Sequence, residues 1–289
     1  MAAVTAGADT VTYDFNTAGQ YTGNFTANNG TVGAGNNFTQ SATGGLNGSG
    51  SLTASASDNN GTSVATTNAI NLNSGMLTLA GYFTPNAVTG NASGPGSVFQ
   101  LGLTANLSGS FGGTAAIDSL TGRVVAPTSN GGTGNSISFT TSGGVAAVGT
   151  LTPVQISLTA GNTYYLTISI TQSSTNATPG TSIAFSATES LYNASSTGAL
   201  GSLVATYSAS FTNSAVNAAG GGQLYGDATA RFGFRGAAIP AAGNGVAELG
   251  TGTVDNLSVT TVPEPSTWAV LAGGAMVLGV ALRRRSVQV

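Results

Sequence analysis

In Thr163-Tyr164-Tyr165-Leu166-Thr167-Ile168-Ser169-Ile170-Thr171-Gln172, apolar and hydroxyl side chains change places at nearly every residue. A strand sends successive side chains to opposite faces, so Tyr164, Leu166, Ile168 and Ile170 form an inward row. Tyr165, Thr167, Ser169 and Thr171 form the outward row. A helix would scatter both sets around its circumference and leave no apolar face, so the stretch reads as a half-buried strand.

The same period recurs on both sides of it. Residues 76–84 place Leu77, Leu79 and Phe83 inward, with Thr78, Ala80 and Tyr82 on the other face. Residues 97–103 place Phe99, Leu101 and Leu103 inward and Gln100 outward. Residues 228–235 separate Phe232 and Phe234 from Arg231 and Arg235. Residues 252–261 carry Val254, Leu257 and Val259 inward but lose step at Asp255-Asn256, which predicts a bulge. Weaker strands are expected at 11–15, 51–57, 135–141, 154–158, 181–190 and 200–211, with turn-rich Gly, Asn, Ser and Thr between them. No helical period is evident before the C-terminal tail. The expectation is an all-β chain: one antiparallel β-sandwich of jelly-roll type over residues 9–261.

Composition narrows the chemistry. Only 5% of the 289 residues are charged, against about a quarter in an ordinary soluble domain. There is no Lys, His or Cys, and half of the six arginines lie at the extreme C-terminus. Nucleic acid therefore meets no basic patch, and Ser-His-Asp, Cys-His and typical zinc centres cannot be built. Glycoside hydrolysis needs paired carboxyls. Glu189 and Glu248 are isolated in the sequence and Glu264 sits in the tail, so no enzymatic activity is expected. A hydrophobic content of 40% still argues for a packed core rather than a disordered linker.

Both ends carry targeting features. Residues 1–8 lack a basic region and a long apolar run, but Ala6-Gly7-Ala8 fits a signal-peptide cleavage site, so 1–8 reads as the remnant of a signal peptide. At the other end, residues 262–289 open with Pro263-Glu264-Pro265, a stiff spacer that neither helix nor central strand accommodates. Residues 266–282 are nearly all apolar or glycine after Thr267, and as a helix would reach about 25 Å, slightly short of the ~30 Å hydrocarbon core. Trp268 suits one interface, and Arg283, Arg284 and Arg285 hold the far end in the cytoplasm. The body of the chain is thereby expected outside.

Pro263-Glu264-Pro265, the short apolar helix and the arginine cluster together resemble the PEP-CTERM sorting signal of exported Gram-negative bacterial proteins. The resemblance implies an exosortase partner, an integral-membrane cysteine transpeptidase that recognises the triplet and removes the tail. It also implies brief inner-membrane anchoring, then delivery to the cell surface or a polysaccharide matrix.

A looser resemblance covers the exported part. Residues 76–103, Leu158-Thr159-Ala160-Gly161-Asn162-Thr163-Tyr164-Tyr165, Phe232-Gly233-Phe234 and Val254-Asp255-Asn256-Leu257-Ser258-Val259 are similar to concanavalin A-like and laminin-G-like jelly rolls. Such domains often hold a structural calcium between first and last strands, which implies Asp14 or Asn16 with Asp255 as ligands. Asp-Asn at a strand is equally ordinary turn chemistry, so calcium stays open. Tyr82, Gln100, Tyr165, Arg231 and Arg235 share outward parity and form a candidate sugar-binding face. Two functions follow as expectations: a structural, non-enzymatic protein of a polysaccharide matrix or biofilm, or a lectin-like carbohydrate-binding module.

Overall fold

The computed structural model describes residues 8–27, 38–53, 62–70, 72, 76–86, 88, 96–105, 117–126, 134–172, 182–214, 224, 230–236 and 252–262. Residues 1–7 of the predicted signal remnant, the turn expected at 58–61, and Pro263 through the arginine cluster lie outside them. The described chain is all-β, in two antiparallel sheets. The first has nine strands: β1 (Asp9–Tyr13), β3 (Thr39–Ser41), β4 (Ser51–Thr53), β6 (Met76–Thr84), β10 (Val145–Ala147), β12 (Thr163–Gln172), β13 (Ile183–Ala194), β14 (Leu200–Asn213) and β16 (Thr253–Val262). The second has seven: β2 (Phe25–Ala27), β5 (Thr62–Thr66), β7 (Gly96–Thr104), β8 (Ser119–Ala126), β9 (Asn135–Ser142), β11 (Val154–Ile156) and β15 (Arg231–Gly236).

The strongly alternating stretch is β12, central in the first sheet, whose order is β10-β14-β13-β12-β6-β16-β4-β3, with β1 also on β16. Its predicted inward row is buried, with Leu166 and Ile168 at 0% exposure. The second sheet runs β11-β9-β8-β7-β15-β5-β2. The sheets meet through aromatic pairs: Phe83 of β6 stacks on Phe99 of β7 at 4.8 Å between ring centroids, and Phe139 of β9 meets Phe211 of β14 edge-on at 5.3 Å. Burying each such ring is worth about 1.5–3 kcal/mol, which is how a chain without disulfides holds its layers together. The predicted bulge is present: the β16–β6 register shifts between Asp255 and Ser258, and Asn256 adopts φ 45°. β4 and β1 then share one edge of β16 on either side of it.

Several expectations need correcting. The first strand ends at Tyr13 rather than residue 15, because Phe15 turns through φ 55° and enters the core at 0% exposure. A five-residue helix, α1 (Gln20–Asn24), and a 3-10 turn (Leu46–Gly48) interrupt the expected helix-free body. β8 was not expected at all. Its residues are buried on both faces apart from half-buried Arg123; the polar–apolar alternation is there, Ser119, Thr121 and Arg123 against Leu120, Gly122 and Val124, but short and with glycine in the inward row. Gln100 does face away from the inter-sheet core, yet it is only 3% exposed rather than free on the surface.

One inward position breaks the apolar rule. Glu189 takes its place in the row Ile183, Phe185, Ala187, Glu189, Leu191 at 0% exposure, and neither carboxylate oxygen has a hydrogen-bond partner. Glycine on the facing sheet makes the room: a Cβ on Gly122 of β8 would come within 3.1 Å of the Glu189 carboxyl carbon and closer still to Ile168. Burial pushes the Glu189 pKa well above the usual carboxylate range, while the charge of Arg123 opposes the shift.

Candidate functional site

Cross-strand register gathers the aromatic residues. Tyr82 of β6 pairs with Tyr165 of β12, and Tyr165 with Tyr192 of β13, so three tyrosines stand side by side on the outer face of the first sheet. Ring centroids are 4.4 Å apart for Tyr82–Tyr165 and 6.5 Å for Tyr165–Tyr192. Tyr192 was missed because the expected strand stopped at residue 190. The signal was the continued alternation through Leu191-Tyr192.

At the Tyr82 end of the row lies a cavity of about 330 Å³, lined among others by Gly44, Gly45, Leu46, Thr84, Gly161, Thr163 and Asp255. Its wall is the loop 44–50, held by Asp255 of β16. The Asp255 Oδ2 accepts hydrogen bonds from the Leu46 N–H at 2.7 Å and the Ser49 hydroxyl at 2.8 Å, and Oδ1 accepts from the Asn256 N–H at 2.6 Å. Gly45 is required here, since a Cβ would clash with the Gly50 carbonyl oxygen and the Asp255 carboxylate. Tyr82 donates its hydroxyl to the Gly198 carbonyl at 2.9 Å, and Thr84 and Thr163 share a hydrogen bond of 2.9 Å. Burial, then the Asp255 charge, raises the Tyr82 pKa. For Tyr165 burial leads, then Tyr82 and Tyr192. Asp255 is itself raised, chiefly by burial, with Asp14 adding to it against the three donors. The phenols of Tyr82 and Tyr165 therefore stay neutral and present apolar ring faces.

Beside the tyrosines the outer face is a lattice of hydroxyls. Thr10, Thr260, Thr78, Ser169, Thr188 and Ser208 form one row across β1, β16, β6, β12, β13 and β14. The next row holds Thr12, Ser258, Ala80, Thr167, Ser190 and Thr206. Neighbours share hydrogen bonds: Thr10 with Thr260 at 2.9 Å, Thr188 with Ser208 at 2.8 Å and Ser190 with Thr206 at 3.0 Å. A hydroxyl used once still has acceptor capacity left for a ligand.

The five residues expected to form one face are split. Tyr82 and Tyr165 belong to the first sheet, whereas Gln100, Arg231 and Arg235 occupy the outer face of the second, on the far side of the sandwich. Parity within a strand assigns a side chain to one of two faces, but does not say which sheet owns that face. On the second sheet Gln100 of β7 lies between Arg235 of β15 and Arg123 of β8. Arg231 donates to the carbonyls of Thr66, at 2.9 Å, and Thr67. Arg123 went unrecognised as a site residue together with its strand.

The predicted calcium ligands Asp14, Asn16 and Asp255 all take part in hydrogen bonds that hold loops. Asp14 accepts from the Asn16 backbone N–H at 3.2 Å and the Asn16 side-chain amide at 2.9 Å, while the Asn16 Oδ1 accepts from the Gly50 N–H at 2.6 Å. With Asp255 engaged as above, each of these oxygens faces a hydrogen donor, the geometry of loop-pinning turns. Among the described residues no group of three acidic, His or Cys side chains is placed to share a metal.

The tail supplies the other functional element. Residues 261–285 match the PEP-CTERM protein-sorting motif. The motif marks an exported protein of a Gram-negative bacterium, anchored in the membrane before exosortase processing. No helix among the described residues is long and apolar enough to cross a membrane, and the span expected at 266–282 lies outside them. A crystal structure of a protein of unknown function from Shewanella oneidensis MR-1 is similar at 15% identity and a TM-score of 0.41, over 90% of this chain and 88% of that one. No curated protein matches the chain.

Proposed function

We propose that the exported β-sandwich is a non-enzymatic protein of the cell surface or polysaccharide matrix, which holds neutral glycan on the outer face of its nine-stranded sheet. The observation that carries the reading is the Tyr82–Tyr165–Tyr192 row, laid beside ordered hydroxyl rows and ending in the Asp255 cavity. Sugar rings present apolar C–H faces and a rim of hydroxyls. Tyrosine faces stack on the former, and serine and threonine hydroxyls bond the latter with no charge to desolvate. Sorting through the PEP-CTERM tail delivers this face to where such glycans are. The bland account of the same tyrosines is cross-strand packing, and it makes a different prediction for the following test.

A neutral-glycan array probed with the full chain in detergent and with Tyr165→Ala separates the two. Glycan recognition predicts signal from the parent chain, reduced about tenfold by removal of the central ring. Absence of signal above background from the parent chain refutes it.

A further inference from the structure

One side of the nine-stranded sheet ends on a long open edge. β14 pairs with β13 along its length, but β10 covers its other side only at the far end, from Phe211 to Asn213, with one more rung from the Val148 N–H to the Ser210 carbonyl. From Leu200 to Thr206 no strand among the described residues pairs with that side. The remaining outermost strands are short: β2, β3, β10 and β11 have three residues each, and β1 has five and opens with Asp9. Short edges and edge charges are how sheets avoid pairing with other chains. The open stretch Leu200-Gly201-Ser202-Leu203-Val204-Ala205-Thr206 has neither a charge nor a proline, and its backbone offers a pairing edge of about 23 Å.

The β13–β14 register decides what lines this edge. Tyr192 pairs with Leu203 and Ala194 with Leu200, so three steps on β14 answer two on β13. In an unbroken strand, residues three apart point to opposite faces. The extra residue instead brings both leucines to the outer face, where their partners Tyr192 and Ala194 stand in register with Tyr165 and Thr163. Leu200 is 55% and Leu203 52% exposed, and Val148, just past β10, is 64% exposed. Exposed apolar surface therefore gathers along this edge. The line Tyr82–Tyr165–Tyr192 runs on to Leu203 at the rim of the sheet.

We infer that this edge docks a second copy of the chain: β14 pairs antiparallel with β14 of its partner about a two-fold axis at Leu203, and two nine-stranded sheets become one. A two-fold contact needs a self-complementary patch. Pairing the stretch 200–206 with itself sets Leu203 opposite the partner's Leu203 and Leu200 opposite the partner's Thr206. An edge without charge meets its own copy with no repulsion, whereas a charged strand would find no counter-charge there. The ladder supplies backbone hydrogen bonds, and the leucines close over the seam. The axis stands normal to the sheet, so both outer faces point the same way and the tyrosine lines of the two copies join end to end. The pairing does not depend on what those tyrosines bind.

Sedimentation of the full-length chain in detergent should show a dimer. The chain has no cysteine, so a single introduced one reports contact between copies alone. Leu203→Cys should give a disulfide-linked dimer on mild oxidation, because paired antiparallel residues hold their Cα atoms about 4.5–5.5 Å apart, within the span of a disulfide. Ser186→Cys, exposed on the same outer face but one strand in from the edge, should not. Leu200→Lys combined with Leu203→Lys should raise the dimer dissociation constant at least about tenfold while leaving the urea midpoint near the parent's, since both side chains are exposed. A monomeric parent chain overturns the proposal. So does a dimer that survives the folded lysine variant, which would assign association to the tail, and so does equal cross-linking of the two cysteine variants.

Discussion

Replacing Glu189 by Gln removes a fully buried carboxyl whose pKa burial raises. In the unfolded chain this group ionises near the ordinary glutamate value of about 4.3. In the folded chain burial raises its pKa well above that, with Arg123 opposing. Between the two values the native state holds one proton more than the unfolded state, so stability falls as pH rises, by about 1.4 kcal/mol per unit. Its contribution is intact below the unfolded value and is lost progressively towards the native one. Gln has nearly the same shape and no titration. Around pH 4 it leaves a comparable unpartnered polar group beside Gly122 and Ile168, and the two proteins should be similarly stable. Above pH 5 the variant should gain on the parent by up to about 1.4 kcal/mol per pH unit, until the native carboxyl itself titrates. Urea unfolding of full-length parent and variant in one detergent, at unit pH steps from 4 to 8, reads the difference directly, because all other acids cancel. A gap that stays constant with pH refutes the reasoning, since it would mean that Glu189 is ionised or reaches water in the folded protein.

Two further outcomes follow from the loop and the tail. Gly45→Ala should destabilise the domain by about 1–3 kcal/mol, because the methyl group would press on the Gly50 carbonyl, the Asp255 carboxylate and the Ser49 hydroxyl; an unchanged urea midpoint would show that the loop 44–50 yields freely. Changing Pro263, Glu264 and Pro265 together to Ala should leave full-length protein in the membrane fraction of a host with an active exosortase, checked by immunoblot with an N-terminal tag. Release indistinguishable from the parent would remove the triplet from the sorting step.

Much of the fold was legible because alternation is a local property. The β12 row, the Leu77, Leu79 and Phe83 face, and the step lost at Asp255-Asn256 all follow from one strand's pleat and one buried side. The tail was legible for a related reason: a proline-bounded spacer, an apolar run and a basic stop act through order along the chain rather than through contacts, and the match to the sorting motif falls on them. The candidate site was only half legible. Outward parity found Tyr82 and Tyr165, which the register then brought into contact, but it also enrolled Gln100, Arg231 and Arg235, which the topology sends to the other sheet. It passed over Arg123, whose strand alternates only from Ser119 to Val124 and carries Gly122 in its inward row.

By itself, then, the sequence determined the strand period, the neutral hydroxyl-rich surface and the route out of the cell, since these depend on residues near one another in the chain. Only the tertiary structure decided which outward rows share a sheet, that Asp255 pins the loop 44–50, and that an acidic residue lies in the core opposite Gly122. Those outcomes depend on which strands become neighbours, and pairing is chosen by packing between segments up to some 250 residues apart, as Thr10 beside Thr260 illustrates.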